Sequence, residues 1–363
     1  MTDNHKTHQL PPVTVVIPAY NLASYLPDTI HSVLAQSYRG QISIIVLDDG
    51  SSDSTLQIAN AFAEQHEQLS SHSQTNQGRA ATRNHLLALA KTDLISWIDA
   101  DDLAPPNWIE DQVHHLLDHR SCVAVGGQGY AITGHRRAIG PIPHPLSHHE
   151  IHQRHLHGQA NAFFQSCVTV RKAAVLQAGG YDERFPCAED YSLWLRLAEV
   201  GELRNLSETH LYYRVHATSA NWTVNIEQRQ QGQKILDEQR ERIGLDQLTA
   251  VDAKIPPPKK DDWNRRIFWI NLALKSGNPT AAMEMLKIAL QKHPNSLLLW
   301  LAALIASLDA ILFAGNRSGQ FEAGHKAKIG KLPWYSFYRL ARKAVRIRRQ
   351  VFSMRRSSEP KTQ

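Results

Sequence analysis

Cysteine is scarce: Cys122, Cys167 and Cys187 are the only three in 363 residues. Their odd number and unrelated spacings argue against a disulfide framework and against a cysteine-based zinc site, and they fit a reducing compartment. The opening stretch, MTDNHKTHQLPP, has no apolar core. No secretory signal is therefore expected there, and residues 1–10 are expected to be disordered. There is no G-x-x-x-x-G-K-[ST] loop, which speaks against an ordinary P-loop nucleotidase. A G-x-S-x-G elbow, the mark of an α/β hydrolase, is missing too. The glycines of GGQGYAITG (126–134) lack the dinucleotide-binding spacing and a following helix, so they read as a strand with turns. The Asp48-Asp49 loop lacks the spacing of an EF-hand.

The chain is long enough for one large domain and a smaller one, and its 42% hydrophobic content suits a soluble globular protein. Charge is unevenly spread. Residues 326–363 carry twelve Lys and Arg against one acid, a local +11 within a chain total of +6, which leaves −5 on the residues before them. A mildly acidic body with a strongly basic tail calls for an anionic partner for the tail alone.

The first hundred residues alternate strand and helix patterns. Apolar runs at 13–17, 42–47 and 94–98 read as strands, with a weaker one near Leu69. Between them lie a stripe of Leu26, Ile30, Val33 and Leu34, a helix carrying Leu56, Ala59, Phe62 and Ala63 with Ser52 or Asp53 as N-cap, and a helix over 78–90. Continuous apolar runs predict strands covered on both faces, hence a largely parallel α/β sheet. In such sheets ligands bind beyond the carboxyl ends of the strands. Three polar segments leave those ends: PAYN (18–21), DDGSSDS (48–54) and DADD (99–102).

DADD places three carboxylates within four positions directly after a buried strand, and like charges this close raise one another's cost of ionising. Taken alone, an acidic triplet is as well explained by a turn that caps the next helix. On an edge shared with two other polar loops, a divalent cation answers the repulsion. Mg²⁺ or Mn²⁺ takes hard oxygen ligands and typically uses one or two carboxylates plus substrate phosphates. Asp99 and Asp101, two apart, would converge on one metal–diphosphate, with Asp102 turned elsewhere.

VTVVIPAYN, IIVLDDGSSDST, NQGRAATRN, ISWIDADD and GGYDERFPCAEDYSLWLRLAEVG occur in this order. Together, over roughly 11–220, they resemble the family 2 glycosyltransferases of the GT-A fold. The resemblance implies an α/β, Rossmann-like mixed or parallel sheet and an inverting transfer of one sugar from a nucleotide-diphosphate donor, usually a UDP-sugar, with Mn²⁺ or Mg²⁺. It implies that Pro18 and Tyr20 lie at the nucleotide, Tyr20 against the base. Asp49 would accept the base's imide N–H. Arg83 would lie near the nucleotide, Asp99 near the ribose and metal, and Asp101 on the metal. Asp190 matches the catalytic base, with Glu189 beside it at the donor. In LYYRVHATS (211–219), Arg214 and His216 are expected at the diphosphate or the metal. Each has a plainer alternative: Tyr20 as core, Asp49 as a helix cap, Arg83 as a surface arginine. Glu189 and Asp190 would equally suit a helix start, and His216 a buried structural role.

Processive members carry a Q-x-x-R-W element and several membrane helices. Neither is found here, so one residue per encounter is expected. The histidines at 144, 148, 149, 152, 155 and 157 lack a tetrahedral ligand set and read as a solvated loop near the acceptor. Domain bounds are expected at 11–245 for the catalytic unit, 246–262 for a linker containing IPPPKKDD, and 263–363 for a helical extension with a basic tail. A Gln-rich helix is expected over 226–243, and 277–296 resembles one helix-turn-helix repeat.

The most apolar segment, 297–314, contains Asp309, which would cost roughly 2.5–3.5 kcal/mol near a bilayer centre, so a packed or interfacial helix is expected. The aromatics and arginines of 332–357 suit an anionic headgroup region. A cytoplasmic enzyme, peripheral at the cytoplasmic face and acting on a glycan or lipid-linked acceptor, would account for both parts. No nucleic acid partner is expected. The rivals are a non-catalytic nucleotide-sugar sensor or scaffold acting through the tail, and a nucleotide-sugar hydrolase or pyrophosphorylase.

Overall fold

The computed structural model describes residues 10–159, 162–217, 226–244 and 263–292. The first part alternates as the apolar runs predict: β1 (Val13–Ala19), α1 (Leu26–Leu34), β2 (Ile42–Asp48), α2 (Thr55–Gln65), β3 (Leu69–Ser73), α3 (Arg79–Leu89) and β4 (Leu94–Trp97). There follow α4 (Trp108–Asp118), β5 (Cys122–Thr133), β6 (Ala138–Ile142), α5 (His148–Leu156), β7 (Val168–Arg171), α6 (Lys172–Gln177), α7 (Glu189–Val200) and β8 (Glu202–Val215). The helices α8 (Ile226–Arg242), α9 (Trp263–Lys275) and α10 (Pro279–Lys292) complete the described chain.

All eight strands form one sheet in the order β3-β2-β1-β4-β7-β5-β6, with β8 paired to β5. The first four run parallel. β7 enters antiparallel between β4 and β5, and β6 is antiparallel to β5. The sheet is thus mixed, with a parallel half that carries the three polar loops. The 126–134 stretch, expected as a strand with turns, lies almost wholly within the single strand β5.

Alternation along the central strands sends residues to two separate cores. Val13, Val15 and Ile17 pack with Ile30, Val33 and Trp108 from α1 and α4. Val16, Ile45 and Leu47 face the other way, onto Leu86 and Leu87 of α3 and Trp194 and Leu197 of α7. This explains the unbroken apolar runs: both faces are covered. A third core joins α9 and α10 to the far end of the sheet through Ile139, Val215, Ile270 and Leu286. The helix in the repeat-like 277–296 stretch, α10, pairs with α9 before it. Residues 246–262, 297–314 and 326–363, with the linker, apolar helix and basic tail expected there, lie outside the described residues.

Two local expectations change. The helix after β2 starts at Thr55 with Ser54 as N-cap, and Ser54 makes no side-chain cap hydrogen bond. Asp53 does satisfy the first N–H of α2, that of Thr55, through Oδ1, and its Oδ2 accepts the Ala23 N–H, which ties the loop after β1 to the loop after β2. The histidine-rich stretch is a helix and not a solvated loop. Ser147 caps α5, its side chain accepting from the Glu150 N–H and donating to the Glu150 carboxylate. His155 is fully buried and His144 nearly so, and neither ring nitrogen of His155 has a hydrogen-bond partner.

Burial pulls the His155 imidazole down to about 3 and the His144 imidazole to about 4. Both fold as neutral rings. Unfolded histidines bind protons below about 6.5, so the unfolded state gains protons that the native state refuses. Stability is therefore full above that pH and falls as the pH drops from there towards 4. His155→Phe keeps the ring volume and should flatten this loss, as read by thermal melts across the pH range.

Candidate active site

Because β1, β2 and β4 are parallel, Tyr20, Asp49 and Asp99 leave the sheet on the same edge. Pro18 sits in β1 opposite Leu47, beyond the last pairing with β4, where its missing N–H leaves no bond to β4 unmade. Tyr20 follows the strand and is half exposed. It is not core. Asn21 adopts a left-handed conformation, its N–H donating to Ser51 Oγ and its Oδ1 accepting from Ser52 N–H. The two loops are zipped together. Gly50, at φ +75°, admits no side chain, since a Cβ there would meet Asn76 N at 2.8 Å.

Asp49 is buried and accepts from Gln74 Nε2, Gln77 N–H and Gly78 N–H at 2.8, 2.9 and 3.0 Å. A carboxylate offers about four acceptor sites, so one remains on Oδ2. These bonds also fix the start of α3, which aims Arg79 and Arg83, one turn apart, along the same face.

Arg83 is buried and bridges two elements. Its Nη2 donates to Asp99 Oδ1 at 3.0 Å, and its Nε lies 3.4 Å from Glu189 Oε1. Trp97 and Tyr181 flank the guanidinium, each ring centroid 5.8 Å away. Burial alone would lower its pKa, but Asp99 and then Glu189 hold it above its ordinary value. Nη1 is buried with no hydrogen-bond partner. Glu189 is buried as well, with Oε2 unpartnered, and burial raises its pKa against the pull of Arg79, whose Nε lies 3.8 Å away. Asp190, the next residue, remains partly exposed in the first turn of α7, accepting its neighbour's N–H. Negative charge there is favoured by the helix dipole.

The acidic turn is braced from below. Thr29 of α1 donates its hydroxyl at the Asp102 carbonyl (2.7 Å), and Ser166 Oγ receives the Asp99 N–H. Leu103 and Tyr212 exchange backbone hydrogen bonds, which brings β8 alongside. The Arg214 N–H then reaches Asp102 Oδ1 at 2.9 Å, and His216 Nε2 reaches Asp101 Oδ2 at 3.0 Å. Burial, followed by Asp101 and Asp99, pushes the Asp102 carboxyl well up. Asp99 is raised too, by burial against Arg83 and with Asp101 adding.

Arg214 does not lie open to a ligand. Its side chain is 1% exposed and its guanidinium is directed at protein acceptors. The structure therefore brings Asp99, Asp101, His216, Arg83 and Glu189 together, with Asp190 following Glu189, Tyr20 and Asp49 on the same edge, and Arg214 beneath. Sequence reasoning missed Arg79, Thr29 and Ser166. Arg79 alone carried a signal, its position four residues before Arg83.

The donors present fit a hard divalent ion. Asp101 Oδ2 and His216 Nε2 are separated by about the spacing of neighbouring ligands on an octahedral ion with bonds of about 2.1 Å. Among the described residues no group of three or more His, Cys, Asp or Glu converges as a complete metal site. The protein would thus supply part of a shell, as in sites completed by substrate phosphates. Among the described residues no helix is long and apolar enough to cross a membrane.

Comparison with known proteins gives the family and the fold. The sequence profile of glycosyl transferase family 2 matches residues 14–178. An uncharacterized glycosyltransferase of Haemophilus influenzae is 28% identical over 252 residues, 65% of this chain and 76% of that protein. EpsE of Bacillus subtilis, whose name designates it a glycosyltransferase, is 31% identical over 218 residues, 58% of this chain and 74% of that protein. Among solved structures, S. aureus TarS residues 1–349 in complex with UDP-GlcNAc superposes with a TM-score of 0.51 at 15% identity, covering 86% of this chain and 98% of that one. That likeness is one of fold. The chain is a glycosyltransferase and belongs to glycosyl transferase family 2.

Proposed function

We propose that this glycosyltransferase moves one sugar per encounter from a UDP-sugar to a hydroxyl of a glycan or lipid-linked acceptor, with inversion at the anomeric carbon. The observation that carries this reading is the chain Asp99–Arg83–Glu189, which joins the acidic turn to the helix start that presents Asp190. Arg83 Nη1, desolvated and unpartnered, is a donor made ready for a group from outside the protein. Likeness of fold to a UDP-GlcNAc complex makes UDP the first nucleotide to test.

In this reading Tyr20 packs on the base, and the spare Asp49 acceptor takes its imide N–H. Asp99 holds the ribose side, and Asp101 with His216 would hold Mn²⁺ or Mg²⁺. The ion, when bound, neutralises charge developing on the departing diphosphate. Asp190 removes the proton from the acceptor hydroxyl as that oxygen attacks C1. With one base and no enzyme nucleophile, displacement is direct and the configuration inverts. A glycosyltransferase at the cytoplasmic face, held there by 326–363, would meet lipid-linked acceptors.

Three outcomes are expected. In calorimetry UDP binds wild type more tightly with Mn²⁺ than without, and Asp101→Asn loses the metal's contribution; equal binding in all cases contradicts the metal assignment. In a screen of UDP-sugars against saccharide acceptors, Asp190→Asn lowers kcat by about 10²–10⁴-fold while UDP still binds. Phosphatidylglycerol vesicles float the full chain but not a 1–325 truncation; no difference between the two removes the membrane role.

A further inference from the structure

Arg214 lies at the centre of a clamp, its side chain 1% exposed. Its Nε donates to the Asp101 carbonyl at 2.6 Å, its Nη1 to the Gly134 carbonyl at 2.9 Å, and its Nη2 pairs with Asp28 Oδ2 at 3.1 Å. Its own N–H holds the Asp102 carboxylate. Four segments distant in sequence meet on one residue: the first turn of α1, the acidic turn, the end of β5 and β8. The Tyr25 ring covers the guanidinium at 4.9 Å, and the same ring lies 4.4 Å from His216. Asp28 is the outer end of the clamp, 30% exposed and shared with Arg136.

We propose that Arg214, oriented by Asp28, is a positioning residue that sets the Asp101 backbone and the Asp101–His216 pair, and makes no contact with the donor diphosphate. This rests on the donor-site reading above. Three acceptors in three directions suit a planar guanidinium fork. An ammonium is a compact point charge on a flexible stem and cannot span them. Without the fork, the Asp101 carbonyl loses its partner and the turn can rotate about Asp102. Asp101 then leaves His216. Outer-shell partners of metal ligands act in this way, and their loss typically costs 10–100-fold in metal affinity.

The test is calorimetric titration of UDP, with and without Mn²⁺, into the full chain as wild type, Arg214→Lys and Asp28→Asn. The expected result is that UDP without metal binds all three alike, while the Mn²⁺-dependent gain falls about tenfold or more in Arg214→Lys. Asp28→Asn, which touches no substrate, should reduce that gain in the same direction by a smaller factor. It carries the test alone if Arg214→Lys does not fold. Weaker metal-free UDP binding in Arg214→Lys, with Asp28→Asn unchanged, would mean that Arg214 grips the diphosphate and overturns the proposal. A wild type that ignores Mn²⁺ defeats the donor-site reading itself, and the positioning role with it.

Discussion

Crowding of carboxylates at the end of one buried strand is the constraint on which the rest of this structure depends. Asp99, Asp101 and Asp102 follow β4, and Glu189 and Asp190 begin the helix that faces them. Charges of one sign at this density are costly out of water unless cations sit among them. The protein answers with the buried Arg83 of α3, whose guanidinium pairs with both Asp99 and Glu189. Arg214 of β8 braces the same turn through the Asp101 carbonyl, while its charge pairs with Asp28. The compensation is incomplete. Asp99, Asp102 and Glu189 all remain pushed upward, and Arg83 keeps a buried N–H without a partner. Carboxylates kept up chiefly by burial, with their neighbours' charge adding, are suited to receive positive charge.

The two arginines divide the work. Arg83 couples the acidic turn to the start of α7 through Asp99 and Glu189, so both elements share one buried cation. Arg214 touches the turn through backbone groups, its Nε at the Asp101 carbonyl and its own N–H at the Asp102 carboxylate. Thr29 and Ser166 complete the floor with hydroxyls. The loops above are built differently: Asn21, Ser51, Ser52 and Asp53 knit the ends of β1 and β2 to one another through short polar bonds. The loops after β1 and β2 are thus joined by side chain–backbone bonds, whereas the acidic turn is tied to α3, α7 and the residues after β8 by ion pairs.

Much of this was legible in the residues. The runs 13–17, 42–47 and 94–98 became parallel strands because continuous burial on both faces leaves no polar alternation, and the shared edge of their loops followed from that. The DADD turn stood out by charge density, and the AED helix start by the resemblance to family 2 glycosyltransferases. What was not legible depended on pairing at long range. Asp53 read as a helix cap, and nothing local shows that Ala23 claims its carboxylate. Arg214 was expected at the diphosphate from the family resemblance, and nothing local shows that Asp28 and the Gly134 carbonyl, far away in sequence, take up its guanidinium. The histidine-rich stretch misled for another reason. Its Ser147-x-x-Glu150 capping signal was present, but polar composition outweighed it, and burial of His155 against Tyr191 is a tertiary fact.

The central claim is that the carboxylates after β4 exist to hold a metal–diphosphate within reach of Asp190. Anomalous diffraction at the manganese edge, from crystals of the full chain grown with UDP and Mn²⁺, tests it most directly. A single peak between Asp101 and His216, with the uracil under Tyr20, is the predicted result. A nucleotide bound on that edge with no peak at Asp101, or a peak elsewhere, would contradict it.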